Sequence, residues 1–301
     1  MVCGELRGVG RLALLLLCLS GCISPYLQDG DLVLGGEGEQ GCSESGDPLS
    51  LRCPATRSCD GSARSPERIR VVTWNIKGGR VHGLQAVSDA LRALKPDVVL
   101  LQEVDVDVAR SGSVDQPAEL ARALGDGFDY VFAPTLTLEG GTYGIAALSR
   151  LPFMAASRIP LSNERADEPR TAIDAGLCVG RGVLRLVNHH ADTRKDAAAI
   201  SCSEIAAHLQ ESRSLKPTIV GADLNLLPSE PGPAAFADAG FSDVLEQRDP
   251  AGTFGASRID YLFADPLVAE HISAARVVQT EASDHELLFM EVTTLSGRGR
   301  R

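Results

Sequence analysis

Hydrophobic residues in this chain fall into short runs and helical stripes in a repeating order. The run Ile69-Arg70-Val71-Val72-Thr73-Trp74-Asn75-Ile76 predicts a strand, and Leu84, Val87, Leu91 and Leu94 then share one helical face. Lys95-Pro96 stops that helix. Asp97-Val98-Val99-Leu100-Leu101-Gln102-Glu103 follows as a buried-type strand with a carboxylate at its far end. A second strand, helix, strand unit repeats the order: Val183 to His190, about Asp196 to Ser212, the stop Lys216-Pro217, then Thr218 to Ala222. Between the two units, residues 117–124 predict a helix. Phe128 to Phe132, Tyr143 to Ser149, Phe153 to Ile159 and Thr171 to Val179 predict strands separated by Gly and Pro turns, which suits antiparallel pairing. A short helix near Pro233 to Ala239, a strand over Ser257 to Phe263 and the run Leu287 to Val292 complete the pattern.

Polar residues gather where these strands end: Asn75 and Glu103 in the first unit, His190, Asp223 and Asn225 in the second. Open α/β sheets bind ligands at the carboxyl ends of their strands, so these groups are expected to converge at one rim. Asp260 interrupts an otherwise apolar strand, and a buried carboxylate needs a partner. Arg258 or a backbone turn is one candidate. Asp284-His285, before the last strand, is another, because an aspartate fixes the tautomer of an imidazole and raises its basicity. The stretch from Glu139 to Gly144 predicts a flexible loop ending in the Tyr143 hydroxyl, which either approaches a phosphate or caps a turn.

Composition adds bounds. With 301 residues and 44% hydrophobic content, the chain can bury a sizeable core. Its net charge is −11, and removing residues 1–21, with two arginines and one glutamate, leaves −12. Such a balance does not support tight, sequence-independent binding to nucleic acid, which rests on basic surface. Arg7 and Arg11 precede the apolar run Leu12 to Leu19, too short to span a bilayer. The run ends in Leu19-Ser20-Gly21-Cys22, which resembles the lipobox of bacterial lipoproteins, with Cys22 as the acylated residue. That resemblance implies an exported chain anchored to a membrane by lipid on Cys22. Ile23, rather than the aspartate common in proteins kept at an inner membrane, points to the outer membrane or cell surface. The expected organisation is a signal over 1–21, an acylated cysteine and flexible tether over 22–67, one domain over 68–295 and a short basic tail over 296–301. Beyond the signal and Cys22, the cysteines are Cys42, Cys53, Cys59, Cys178 and Cys202. Cys202 lies on the helical stripe with Ile205, Ala206 and Leu209 and is the expected free thiol, while Cys42, Cys53 and Cys59 suggest a local disulfide.

Six motifs now stand in order: Thr73-Trp74-Asn75-Ile76, Leu101-Gln102-Glu103-Val104, Asn188-His189-His190, Ala222-Asp223-Leu224-Asn225, Arg258-Ile259-Asp260-Tyr261 and Ser283-Asp284-His285. Together they resemble the endonuclease/exonuclease/phosphatase superfamily over about Arg68 to Thr294. The resemblance implies an α/β fold, a four-layer αββα sandwich of two mixed sheets flanked by helices. It also implies Mg²⁺ or Mn²⁺ held chiefly by Glu103, with Asn75 and Asp284 close to the ion. Asp223 and Asn225 would orient or deprotonate the attacking water, and His190 and His285, the latter backed by Asp260, would contact the phosphate. Tyr143 and Arg170 are further phosphate candidates. The chain has His189-His190-Ala191 where the family commonly has Thr-His-Leu, and strand alternation lets only one of the two histidines face the site. The position two after Asn188 favours His190.

The activity implied is that of a metal-dependent phosphoesterase. Its expected substrate is nucleic acid or a small phosphodiester, with Arg170, Arg194, Lys195 and Arg258 as backbone contacts. Alternatives on the same fold are a sphingomyelinase-like or inositol-phosphate enzyme, or a silent binding module. Aromatic residues are only 4% of the chain, which disfavours a membrane-inserting lipid enzyme, and the intact set of polar groups disfavours a silent module. A monomer is the expected state.

Overall fold

The computed structural model describes residues 49–63, 65–159, 161–212 and 217–294. The signal, Cys22, the first part of the tether and the basic tail lie outside the described residues. In chain order the first half supplies β1 (Arg68–Asn75), α1 (Gly83–Leu94), β2 (Val98–Val106), α2 (Gln116–Leu124), β3 (Asp129–Leu138) and β4 (Gly141–Ser149). The second supplies β5 (Phe153–Ile159), β6 (Ala172–Val179), β7 (Gly182–His190), α3 (Lys195–Glu211), β8 (Thr218–Asp223), α4 (Pro231–Asp238), β9 (Ser242–Asp243) and β10 (Asp260–Ala264). Then α5 (Pro266–Ala269), β11 (Ile272–Val278) and β12 (Leu287–Thr293) follow.

Two six-stranded sheets result, in the orders β11-β12-β1-β2-β4-β3 and β5-β6-β7-β8-β10-β9. Each contains one parallel pair, β1 with β2 and β7 with β8, so both sheets are mixed as expected. The last two strands return to the first sheet, which ties the halves into one body.

Strand alternation sorts the side chains into three apolar layers. Val71, Leu100, Ala147 and Met290 meet Leu186, Ile219 and Leu262 between the sheets. Val72, Trp74, Val99 and Leu101 pack outward with Val87, Leu91 and Leu120 of α1 and α2. Val187, Val220, Tyr261 and Phe263 pack with Cys202, Ile205 and Phe236 of α3 and α4. The inner strands are therefore buried on both faces, which explains their nearly continuous apolar runs. Near the site the sheets touch closely: a Cβ on Gly221 would lie 2.6 Å from Leu100 Cδ1 and 2.9 Å from Thr73.

Three local features differ from expectation. Glu139 and Gly140, both at positive φ, make a two-residue turn that pairs Leu138 with Gly141, so the expected flexible loop is a tight turn and the strand expected from Tyr143 starts two residues earlier. Residues within the expected tether lie along the domain: Arg52 exchanges backbone hydrogen bonds with Phe132, the Arg57 amide donates to Phe153, and Leu51 is buried. Both contacts fall on edge strands, whose unpaired backbone groups they satisfy. Lastly, Cys59 is bonded to Cys178, 119 residues away, rather than to a close neighbour. Cys53 is disulfide-bonded too, and Cys42 lies outside the described residues. Cys202 is free and buried, its thiol pushed up to about 12 by burial. Among the described residues, no helix is long and apolar enough to cross a membrane.

Candidate active site

Strand alternation alone would not bring Glu103 to the rim. Leu101 faces the helices and Gln102 faces the other sheet, so the next residue should face the helices again. A bulge intervenes: β2 pairs with β4 at Leu101–Ala146 and next at Val104–Gly144, so two residues oppose one. Glu103 takes φ +53 there and its carboxylate turns into the cleft. Asn225 is the second site residue in the left-handed region, at φ +52, where its amide N–H donates to Asp223 Oδ1 at 3.0 Å. Asparagine tolerates that conformation better than most residues. Both sit at the mouth of the site, where strained backbone is characteristic.

Beneath the rim a polar clamp joins the sheets. Gln102 Nε2 donates to Asn188 Oδ1 at 2.7 Å and to Thr73 Oγ1 at 3.1 Å, and Asn188 Nδ2 donates to the carbonyls of Leu101 and Ala146. The last segment is pinned separately: Trp74 Nε1 donates to the His285 carbonyl and Ser283 Oγ to the Asn75 carbonyl.

On this platform Asn75 Nδ2 lies between two carboxylates, 3.1 Å from Glu103 Oε1 and 2.9 Å from Asp223 Oδ2. His190 Nε2 is 3.5 Å and His285 Nε2 3.9 Å from the same Asp223 oxygen. His285 Nδ1 bonds Asp260 Oδ2 at 2.9 Å, which settles the partner of the buried aspartate. His190, not His189, faces the cleft; His189 is enclosed between the Thr171 carbonyl and Ser201 Oγ, and burial lowers it to about 4. Arg170 is buried and lies 3.3 Å from His190 Nδ1, and both phosphate candidates, Arg170 and Tyr143, line the cleft. The cleft holds about 380 Å³.

The titratable groups are driven apart. Burial is the largest influence on His190 and, with the positive charge of Arg170, holds it well below 6.5. Burial depresses His285 most strongly as well, but the hydrogen bond and charge of Asp260, with Asp223 and Asp284, raise it to about 9. Asp223 is pushed up, first by burial and then by the charge of Asp260. Opposite displacements in neighbouring groups are how one site holds an acid and a base at the same pH.

One expected site residue is paired with a lysine and another is a packing residue. Asp284 is paired with Lys77 and does not line the cleft, because the short turn after β1 brings the lysine over it. Arg258 is buried, bonded to Asp243 at 2.6 Å and stacked over Tyr261, so it is a packing residue with no phosphate to meet. Arg194 pairs with Asp167 and Asp196, and Lys195 with Glu230 and the Asn225 carbonyl. Sequence reasoning missed Arg80, 3.5 Å from Glu103, as well as Arg110, Glu168 and Phe254, whose ring lies 4.8 Å from that of His285. None belongs to a motif or a periodic stripe that would single it out.

Asp223, Asp260 and His285 place ligand-capable atoms within 4.8 Å of one another. The Asp260–His285 hydrogen bond already occupies the facing imidazole nitrogen.

The sequence model of the Endonuclease/Exonuclease/phosphatase family matches residues 72–285. Among solved structures, an endonuclease/exonuclease/phosphatase from Beutenbergia cavernae is 25% identical with a TM-score of 0.65, over 76% of this chain and 72% of that one. The human Nocturnin catalytic domain with bound sulfate is 21% identical, TM-score 0.61, over 79% and 98% of the two chains. An AP endonuclease from Archaeoglobus fulgidus is 20% identical, TM-score 0.59, over 75% and 100%. No curated protein matches the chain.

Proposed function

The chain belongs to the endonuclease/exonuclease/phosphatase family and is a metal-dependent phosphoric ester hydrolase; we propose that it is a phosphodiesterase acting on nucleic acid or small phosphodiesters through an activated water. The observation that carries this is the single hydrogen-bonded rim on which Glu103, Asn75, Asp223, His190 and His285 meet.

Carboxylate oxygens of Glu103 and Asp223 meet at the Asn75 amide with no thiolate, oxygen ligands of the kind Mg²⁺ or Mn²⁺ takes. Glu103 is the chief ligand in this reading and Asn75 stands beside it; Asp284, the third expected ligand, has its carboxylate occupied by Lys77. A bound ion supplies positive charge to the phosphate oxygens.

The remaining roles belong to side chains of the chain itself. Arg170 can only donate, so His190 Nδ1 accepts from it and the ring proton sits on Nε2, toward Asp223. A neutral His190 is then a hydrogen-bond donor to the phosphate. Asp223, with its raised pKa, takes the proton of the attacking water, and Asn225 orients that water. His285 donates Nδ1–H to Asp260 and, protonated at neutral pH, presents Nε2–H to the leaving oxygen. One acid or base supplies about 10²- to 10⁴-fold, so the arrangement needs several groups acting together.

The lipobox-like start supports a place for the activity. Acylation of Cys22 would hold the domain at a bacterial membrane surface, at the outer membrane or cell surface by the reading of Ile23, and the disulfides at Cys53 and Cys59–Cys178 suit an oxidising compartment. Mass spectrometry of native material should find acyl chains on Cys22; an unmodified cysteine overturns the anchor.

The substrate reading is tested with Mg²⁺ and Mn²⁺ on plasmid DNA, RNA, bis(p-nitrophenyl) phosphate, sphingomyelin and inositol phosphates, with His285→Ala as the blank. Hydrolysis of nucleic acid or the small diester is expected. Turnover confined to sphingomyelin or inositol phosphates refutes the substrate and keeps the mechanism.

A further inference from the structure

Arg110 lies on the cleft wall but belongs to none of the reacting groups. Its guanidinium is set by Asp105, a carboxylate with 0% exposure whose two oxygens accept from Arg110 Nε at 3.0 Å and Nη2 at 2.9 Å. Further buried groups hold this carboxylate in place. Gln116 Oε1 accepts from the Asp105 amide at 2.9 Å, and Gln116 Nε2 donates to the Gly78 carbonyl at 2.7 Å. Gly78, at φ +60, lets the turn after β1 close over the carboxylate, where a Cβ would lie 2.8 Å from Asp105 Oδ2.

The same guanidinium lies 5.3 Å over the Tyr143 ring, and the Arg110 amide donates to Glu139 Oε2 at 2.7 Å. One edge of the guanidinium is thus fully committed, and Nη1 has no hydrogen-bond partner among the described residues. The side chain is 26% exposed.

Burying a carboxylate against such an arginine is a poor source of stability, because desolvation consumes most of the Coulombic gain. What the network does achieve is orientation: planar, forked donors held this way suit a phosphate. Arg80 stands on the same cleft, 3.5 Å from Glu103 and anchored through Nε to the Lys77 carbonyl. Leu136 and Leu138 complete the wall, and the volume falls in the range of sites that enclose a small ligand rather than a lone phosphate.

We propose that Arg110, oriented by Asp105 and Gln116 beside Arg80 and Tyr143, forms a second anion subsite that takes a phosphate of the substrate next to the scissile one. This rests on the phosphoesterase site described above and deepens it to a preference for molecules carrying at least two phosphate groups. A neighbouring backbone phosphate of an oligonucleotide and the second phosphate of a small bisphosphate share this chemistry.

Calorimetry without divalent cation compares a nucleoside 3′,5′-bisphosphate with the corresponding 5′-monophosphate on the wild type, Arg110→Gln and Arg110→Lys. The wild type should bind the bisphosphate about tenfold or more tightly than the monophosphate, as one charge-assisted contact allows. Arg110→Gln should lose that advantage with monophosphate affinity unchanged, and Arg110→Lys should recover part of it. In the kinetic arm with Mn²⁺, pTpT should exceed TpT in kcat/KM through a lower KM in the wild type but not in Arg110→Gln. Bis(p-nitrophenyl) phosphate should be cleaved equally by both. A kinetic advantage identifies a backbone phosphate as the natural occupant; an advantage in calorimetry alone identifies a small bisphosphate. Equal affinities in the wild type, or an unchanged advantage in both variants, overturn the subsite. Calorimetry needs no turnover, so failure to cleave any diester would refute the proposed activity while leaving this comparison decisive.

Discussion

Replacing Asp260 with asparagine keeps the shape and an acceptor oxygen beside His285 but removes the charge. In the wild type, burial depresses His285 and Asp260 is the main counterweight, leaving the ring at about 9. Without that charge the ring should return to about 6.5 or below, a change worth roughly 3 kcal/mol in the preference for the imidazolium. A raised pKa means the protonated form is fully populated at low pH and lost as pH rises through about 9. At pH 8 the imidazolium population should therefore fall roughly 30-fold in Asp260→Asn, and at pH 6 by less than about twofold. Profiles of kcat/KM against pH on TpT, whose alkoxide leaving group needs the proton, read this, and NMR titration of the His285 ring checks it without turnover. The two enzymes should converge at acid pH and separate above neutrality. A uniform loss across the whole range, or an unshifted His285 resonance, would refute the role given to Asp260.

Asp174, buried in β6, accepts from Arg185 and His208. Asp174→Ala strands the buried Arg185 charge and should cost about 3–5 kcal/mol in urea unfolding. Burial pushes the Asp174 carboxyl up, but hydrogen bonds from His208 and Arg185 outweigh it and hold the group below 3.8. Its contribution is thus complete above about pH 4 and lost as pH falls further, so the gap from wild type should narrow in acid; a gap that widens there would contradict the pairing. Cys178→Ser opens the 119-residue loop closed by Cys59 and should lower Tm, with an upper bound of about 5 kcal/mol from chain entropy. Reductant should do the same to the wild type, and an unchanged Tm in both cases would exclude a stabilising bridge.

The inner strands were legible because both of their faces are buried, so β1, β2, β7 and β8 read directly from apolar runs with helical stripes between them. Strand β11 was not, because it is an edge strand with mostly half-exposed side chains and carries no strong alternation. The motif residues were legible as a set because each ends a strand, and the fold brings those ends together. Motif reading also found Glu103 without revealing how it gets there. The bulge that turns it inward is a property of pairing with β4, which no local pattern encodes. Arg258 was misread for a related reason: Asp243, which neutralises it, is a neighbour only in three dimensions. Arg110 was invisible because its importance lies in Asp105 and Gln116 beneath it.

The dependence of hydrolysis on a divalent cation held by Glu103 is measured by chelating the wild type and Glu103→Gln exhaustively, then titrating each with Mg²⁺ or Mn²⁺ on bis(p-nitrophenyl) phosphate. The wild type should be silent after chelation and recover with the ion. Glu103→Gln should remain at least about 10²-fold lower in kcat at matched ion concentration with Tm nearly unchanged, since its carboxylate lies at the rim and not in the core. Full turnover by the chelated wild type, or wild-type recovery by Glu103→Gln, would contradict a cation site built on this carboxylate.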